Sequence, residues 1–363
     1  MTRVLALAVG DTAGHVLPAL AIAEAYAQLV GEIDVRFFAA GEGAGHWLIG
    51  KAGYPLHYVP GSQIARTSAG QQALALWRTG RGIVRARGLL RQHGARLVIG
   101  TGGYGSASAL LAARTLGLTT ALVEPNVEPG LANKLLGRFV HRAYVAFQET
   151  TAAFPRGTSL VTGVPIRGNL STLAHERRAP ALPHLRILVM SGSRGAQFLG
   201  EHVPALCSLL AGNGLTLDVR HQGGAETATI EAAYARLGIR ARVESFISDM
   251  PAALANADLA ITRAGAGTIA ELATAGIPAL LVPLADAAHD HQAANAAALV
   301  ARGAALMTRE SDWDTPRIAD QMLTLLRHDT GWDTMSAAMF ALAREDGAAR
   351  IVTDCEALME GRW

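Results

Sequence analysis

At 363 residues the chain is long enough for two domains, and a composition that is 50% apolar but only 5% aromatic suits Ala/Leu/Val-rich α/β packing rather than disorder. No apolar run reaches the roughly 18 residues needed for a membrane span. The two cysteines, Cys207 and Cys355, have no metal-ligand spacing, which points to reduced thiols in a cytosolic protein rather than a disulfide scaffold. The net charge of +2 hides an asymmetry. Residues 1–170 carry 16 Lys and Arg against 8 Asp and Glu, whereas residues 171–363 carry 16 against 22. Between Gly43 and Val123 there is no acidic residue, yet Lys51, Arg66, Arg78, Arg81, Arg85, Arg87, Arg91, Arg96 and Arg114 all fall there. A basic half suits an anionic partner: a membrane surface, a phosphate-bearing substrate or nucleic acid.

The chain opens on an apolar run, 4–9, that lacks a signal-peptide cleavage pattern and reads as a buried strand. GDTAGH (10–15) turns from it into a helix reaching about residue 29. His15 stands at that helix start, where a neutral imidazole can take a proton from a hydroxyl nucleophile, and Asp11 can orient it or cap the helix. A dinucleotide fingerprint needs G-x-G-x-x-G here, and this loop fails that spacing, which argues against NAD or FAD. Strands are expected at 34–39 and 57–59, then a polar loop at 61–72 long enough to act as a lid or acceptor loop. Residues 73–92 mix Leu74, Trp77, Ile83, Val84 and Leu90 with arginines, as a basic amphipathic helix does, although Gly80, Gly82 and Gly88 weaken the pattern.

A strand at 96–100 leads into a second glycine-rich turn, GTGGYGS (100–106), a backbone nest able to hold phosphate. A helix to about 116, a strand at 119–123, the segment EPNVEPG (124–130) and a short helix follow, then strands at 144–147 and 159–162. Alternating β and α elements imply a parallel sheet with helices on both faces. Three prolines and no periodicity between 163 and 184 mark a linker. The expected organisation is a first domain over 1–163, a linker over 164–184 and a second domain over 185–363.

The second series begins with a strand at 186–191 and the turn GSRGAQ (192–197), where Ser193 and neighbouring N–H groups can grip a diphosphate. A helix at 198–211, a strand at 215–221, a helix at 225–236 and a strand at 242–245 come next. Residues 258–283, DLAITRAGAGTIAELATAGIPALLVP, read as strand, glycine-rich turn, helix and strand. The helix start at 266–268 offers unpaired N–H groups to phosphate, Thr268 adds a hydroxyl, and Glu271, one turn on, suits the paired hydroxyls of a ribose. HDHQAANA (289–296) sets His291, Gln292 and Asn295 on the rim of the same site. Asp286, Asp290 and the two histidines lack a second ligand cluster, so no metal is assigned.

These motifs, in this order, resemble the MurG family of peripheral membrane glycosyltransferases. The resemblance runs from about residue 3 to 310 and rests on GDTAGHVLPALAIA, GTGGYGS, EPNVEPGLANKLL, TGVPIR, GSRGAQ, VESFISDM, TRAGAGTIAELATAGIPALLVP and HDHQAANA. It implies the α/β GT-B fold, two Rossmann-like domains with parallel sheets facing across a cleft, the donor in the second and the acceptor at the first. It further implies an inverting transfer of GlcNAc from UDP-GlcNAc to the C4 hydroxyl of lipid I, giving lipid II. Carried over by position, Thr12, Ala13 and Gly14 lie by the donor sugar and diphosphate, and Asn126 contacts the sugar. Arg167 and Ser193 contact the nucleotide diphosphate, and the backbone of Ile247 reads the uracil. Ala266, Gly267 and Thr268, with Ile269 and Ala270 in the same turn, bind phosphate. Glu271 binds the ribose and Gln292 the sugar. His15 is the general base, with Glu124 competing for that role.

The expected partners are UDP-GlcNAc, lipid I, an anionic membrane surface and proteins of cell-wall synthesis, without nucleic acid. The expected location is peripheral, on the cytoplasmic face of the inner membrane, and no cofactor is expected. Two glycines usual in the family's first loop are replaced by Asp11 and Ala13. A different lipid or small-molecule acceptor, or a relative that binds the nucleotide sugar without turnover, are the alternatives those changes leave open.

Overall fold

A computed structural model describes residues 3–41, 43, 45–61, 69–166, 170, 179–192, 196–285 and 290–361. The expected acceptor loop at 61–72 falls largely outside them, as do Arg167, Ser193 and Arg194. The chain divides into two compact units, Met1–Gly168 with Arg344–Trp363, and Asn169–Ala343.

The first unit is built on β1 (Arg3–Val9), α1 (Ala13–Leu29), β2 (Ile33–Ala39), α2 (Trp47–Lys51), β3 (Leu56–Tyr58), α3 (Ala69–His93), β4 (Ala95–Gly100), α4 (Tyr104–Thr115), β5 (Thr119–Glu124), α5 (Leu131–Leu136), β6 (Arg142–Val145) and β7 (Ser159–Val161). Its seven strands run in the order β3-β2-β1-β4-β5-β6-β7, and every pair is parallel. The continuous apolar run of β1 has its reason here. Successive side chains alternate between sheet faces, and both faces are covered. Leu5, Leu7 and Val9 pack with Val16, Leu20 and Tyr26 of α1, while Val4, Ala6 and Ala8 pack with Ala86 and Leu90 of α3 and with Ala109 and Leu110 of α4.

Helix α3 is continuous through Gly80, Gly82 and Gly88. Gly80 and Gly88 face open space, so they cost only helix propensity. Gly82 is required: a Cβ there would lie 1.8 Å from the Pro60 carbonyl oxygen, so its absence lets the helix close on the segment that follows β3.

The second unit holds β8 (His184–Met190), α6 (Ala196–Gly212), β9 (Thr216–Gln222), α7 (Thr227–Arg236), β10 (Ala241–Glu244), α8 (Met250–Ala255), β11 (Leu259–Thr262), α9 (Ala266–Ala275), β12 (Ala279–Leu281), α10 (His291–Val300), β13 (Ala305–Met307), α11 (Thr315–Arg327) and α12 (Gly331–Phe340). Its sheet is again wholly parallel, in the order β10-β9-β8-β11-β12-β13. Both units are therefore doubly wound α/β domains, as the alternating pattern predicts. Among the described residues no helix is long and apolar enough to cross a membrane.

One expectation needs correcting. The second domain was to run to 363, but α13 (Gly347–Met359) returns to the first unit. Ala348, Ile351, Val352 and Cys355 join the core formed by β1 and α1. Around them Arg142 donates to Asp354 at 2.8 Å, the Tyr144 hydroxyl donates to the same carboxylate at 2.9 Å, and Arg3 pairs with Glu356. Amphipathic spacing shows that α13 buries one face; it does not show which sheet receives it.

Candidate active site

Doubly wound sheets bind ligands beyond the carboxyl ends of their strands, where the strand order reverses. In the first unit that point lies between β1 and β4, whose following loops are GDTAGH and GTGGYGS. Thr12 caps α1 from extended backbone, and Ala13 and Gly14 are the helix's first residues. His15, in the same turn, is partly buried. Its Nδ1 lies 3.1 Å from Thr12 Oγ1, and its backbone carbonyl accepts from Thr101 Oγ1 at 2.7 Å. The imidazole rests on glycines: a Cβ at Gly10 would stand 2.5 Å from its Nδ1, and one at Gly102 3.1 Å from its Cδ2. Gly102 and Gly103 also have φ of 99° and 73°, a region side chains disfavour. The two glycine-rich turns thus form one histidine-containing pocket floor.

The segment after β5 closes this floor. Glu124 is only 1% exposed, and four donors surround its carboxylate. Asn126 N and Nδ2 both donate to Oε1 at 3.0 Å, while Gly130 N at 3.0 Å and Asn133 Nδ2 at 2.9 Å donate to Oε2. Burial pushes the carboxyl above its ordinary range, and these hydrogen bonds pull it back. Asn126 is further fixed through its carbonyl, which accepts from Thr150 Oγ1 at 3.1 Å. Glu124 therefore faces its own loop and holds Asn126 in place.

In the second unit the reversal lies between β8 and β11, and the glycine-rich turn after β11 opens α9. Gly265 caps α9 from extended backbone and has no side chain of its own to bond the N–H groups of the first turn. Ala266, Gly267 and Thr268 present those groups, and Ile269 and Ala270 continue the helix. Gly276, at φ 60°, ends it in the left-handed conformation. Such a helix start favours an anion. Glu271 is partly exposed one turn along, whereas Ile247 is buried, at 1% exposed.

Gln292 differs from the sequence reading. Its Oε1 accepts from Leu284 N at 3.0 Å, so one of that oxygen's two lone pairs is engaged within the protein. Asn295, fully buried, donates to the Ala264 carbonyl at 3.2 Å and ties α10 to the turn. Arg263, 5% exposed, braces the turn from behind. It donates to Val282 O at 3.2 Å, pairs with Glu310 at 2.5 Å and lies 5.5 Å from the Phe198 ring centre. This brace leaves no motif behind, because its partners are backbone carbonyls and a distant carboxylate. Among the described residues no three His, Cys, Asp or Glu side chains gather to hold a metal.

The glycosyltransferase family 28 N-terminal domain model matches residues 5–145, and the family's C-terminal domain model matches 186–351. A UDP-N-acetylglucosamine–N-acetylmuramyl-(pentapeptide) pyrophosphoryl-undecaprenol N-acetylglucosamine transferase from Nitratidesulfovibrio vulgaris is 37% identical, the alignment covering 97% of this chain and 96% of the relative. A protein of the same name from Acidithiobacillus ferrooxidans is 38% identical, covering 96% of each. The crystal structure of Acinetobacter baumannii MurG superposes with a TM-score of 0.79 at 30% identity, covering 98% of this chain and 99% of that one. A UDP-N-acetylglucosamine 2-epimerase shares the fold alone, with a TM-score of 0.68 at 13% identity.

Proposed function

We propose, for a chain that belongs to glycosyltransferase family 28 and within it to the MurG family, that His15 of the first unit is the general base of the transfer and that the start of α9 in the second unit binds the donor's diphosphate. The chain transfers GlcNAc from UDP-GlcNAc to lipid I, N-acetylmuramyl-(pentapeptide) pyrophosphoryl-undecaprenol, and so makes lipid II. The observation that carries the site assignment is His15, held over the Gly102–Gly103 turn at the reversal point of the first sheet.

In this reading the ring carries its proton on Nδ1, toward Thr12 Oγ1 at 3.1 Å, and acts as base through Nε2. Nε2 takes the proton of the acceptor's C4 hydroxyl as that oxygen bonds to the anomeric carbon. The bond from the anomeric carbon to the β-phosphate oxygen breaks on the opposite face, and UDP departs with the electron pair. The N–H groups of Ala266, Gly267 and Thr268 stabilise the charge gathering on the diphosphate, with Ser193 and Arg167 beside it. Glu271 holds the ribose, the Ile247 backbone reads the uracil, and Gln292 and Asn126 address the sugar. Glu124 is a positioning residue for Asn126. A single charge-stabilising helix start does the work that a divalent ion does in other transferases.

The decisive assay follows labelled GlcNAc from UDP-GlcNAc onto a soluble lipid I analogue, with and without EDTA. The expected result is transfer that EDTA leaves unchanged. No transfer by a protein that still binds UDP would move the assignment to another acceptor, and loss with EDTA would remove the metal-free reading.

The chain acts at the membrane surface, on the cytoplasmic face of the inner membrane, where its lipid acceptor lies. Supporting this, Leu74, Trp77 and Val84 are exposed on α3 beside Arg78, Arg81 and Arg85, and Arg81 lies over the Trp77 ring at 4.8 Å. Leu131, Leu135 and Phe139 add a second exposed apolar stripe next to Lys134 and Arg138. Each basic group near an anionic surface contributes about 1 kcal/mol, which salt screens. Binding to vesicles containing phosphatidylglycerol is therefore expected to weaken as salt rises; salt-independent binding would count against this surface. Proteins of cell-wall synthesis are the expected neighbours there.

A further inference from the structure

We propose that His46 is a positioning residue for this transfer, acting through the loop that carries His15. The inference rests on the His15 assignment above.

His46 precedes α2, in a stretch with no recognisable motif, and is 6% exposed. Its Nδ1 accepts from Gly43 N at 3.0 Å, and its Nε2 lies 3.2 Å from the Gly10 carbonyl oxygen. A backbone N–H can only donate and a carbonyl can only accept. The ring must therefore be neutral, with its proton on Nε2, donating to Gly10. Protonation of Nδ1 would set two donors against each other at Gly43. Tyr58 flanks the ring, with centroids 5.9 Å apart.

The loop it grips is the one under His15. Gly45 N donates to the Asp11 carbonyl at 3.0 Å. A Cβ at Gly43 would stand 2.6 Å from Asp11 O, and one at Gly45 2.7 Å from Ala13 N. Gly43 and Gly45 thus lie against the 10–13 backbone with no room for a side chain on either, and among the described residues His46 bonds across the seam. Gly10 is bonded by His46 and also touches the His15 ring from below. Release of the Gly10 carbonyl lets that floor shift, and the Thr12 hydroxyl that orients His15 Nδ1 shifts with it.

The test joins kinetics to a spectroscopic signature. His46→Leu is expected to lower kcat by about tenfold or more, because a base displaced by a fraction of an ångström loses its geometry. The affinity for UDP should stay within about twofold, since the contacts assigned to its uracil, ribose and phosphates at Ile247, Glu271 and the start of α9 belong to the second unit. His46→Gln, which keeps a donor for the Gly10 carbonyl, should recover most of the loss. In the native enzyme, two-bond 1H–15N spectra with the His46 signal assigned by its disappearance in His46→Gln should show a neutral ring protonated on Nε2. A ring protonated on Nδ1, or unchanged kcat in His46→Leu, overturns the inference. If His46→Leu fails to fold, the tautomer and His46→Gln still decide it. Near-native turnover in His15→Ala would remove the general-base reading while leaving the His46 tautomer untouched, so the two failures are distinguishable.

Discussion

Replacement of His15 by alanine is expected to lower kcat about a thousandfold, roughly 4 kcal/mol of transition-state stabilisation, with UDP affinity unchanged within about twofold. The size follows from what the imidazole does. Removing the acceptor proton during attack is a transition-state contribution, so its loss falls on kcat rather than on ground-state binding. The split follows from placement: the uracil, ribose and helix-start contacts assigned to UDP, at Ile247, Glu271 and Ala266–Thr268, lie in the second unit, away from His15 in sequence and in fold unit. Transfer to a soluble lipid I analogue, read beside calorimetric titration with UDP, measures both quantities. Near-native turnover would remove His15 as the base. Loss of UDP affinity equal to the loss of turnover would mean that the substitution disturbs more than the proton transfer.

Glu124→Gln is expected to cost about 2–4 kcal/mol of stability and at least tenfold in turnover together. The carboxylate accepts from four N–H groups, two on each oxygen. Glutamine supplies one oxygen and one NH2, so one pair of donors meets a donor, and buried donors without acceptors are costly. Urea unfolding followed beside the transfer assay separates two roles. A catalytic base at this position would lose turnover with stability intact. A frame for Asn126 loses both, and intact stability would overturn that assignment.

The difference between these two residues shows what the sequence can disclose. Parallel sheets were legible because β1 and β11 are apolar runs followed by small residues and an amphipathic segment, a pattern with few other folded outcomes. The glycine turns were legible for the same reason: backbone that must approach a helix start or a histidine ring excludes side chains. Glu124 was legible as an acid in a motif, but not as one turned inward, since its partners are donors within its own loop. Gln292 is legible as both donor and acceptor, but the bond that its oxygen accepts from Leu284 N is not. His46 and Arg263 left no signal, because each answers to backbone carbonyls far away in sequence, which any residue type supplies. Arg167 and Ser193 lie outside the described residues, so their roles rest on motif position.

The return of α13 to the first unit bears on how the protein is made. During synthesis, residues 3–161 can form all seven strands of the first sheet, yet the face that receives Ala348, Ile351, Val352 and Cys355 stays bare. The intervening second unit must be translated before that helix emerges, a delay of roughly 10–40 s at 5–20 residues per second. The second unit, contiguous from Asn169 to Ala343, can close as soon as it leaves the ribosome. The domain that begins first is therefore finished last, and in the interval an apolar sheet face is open to chaperones or to another nascent chain.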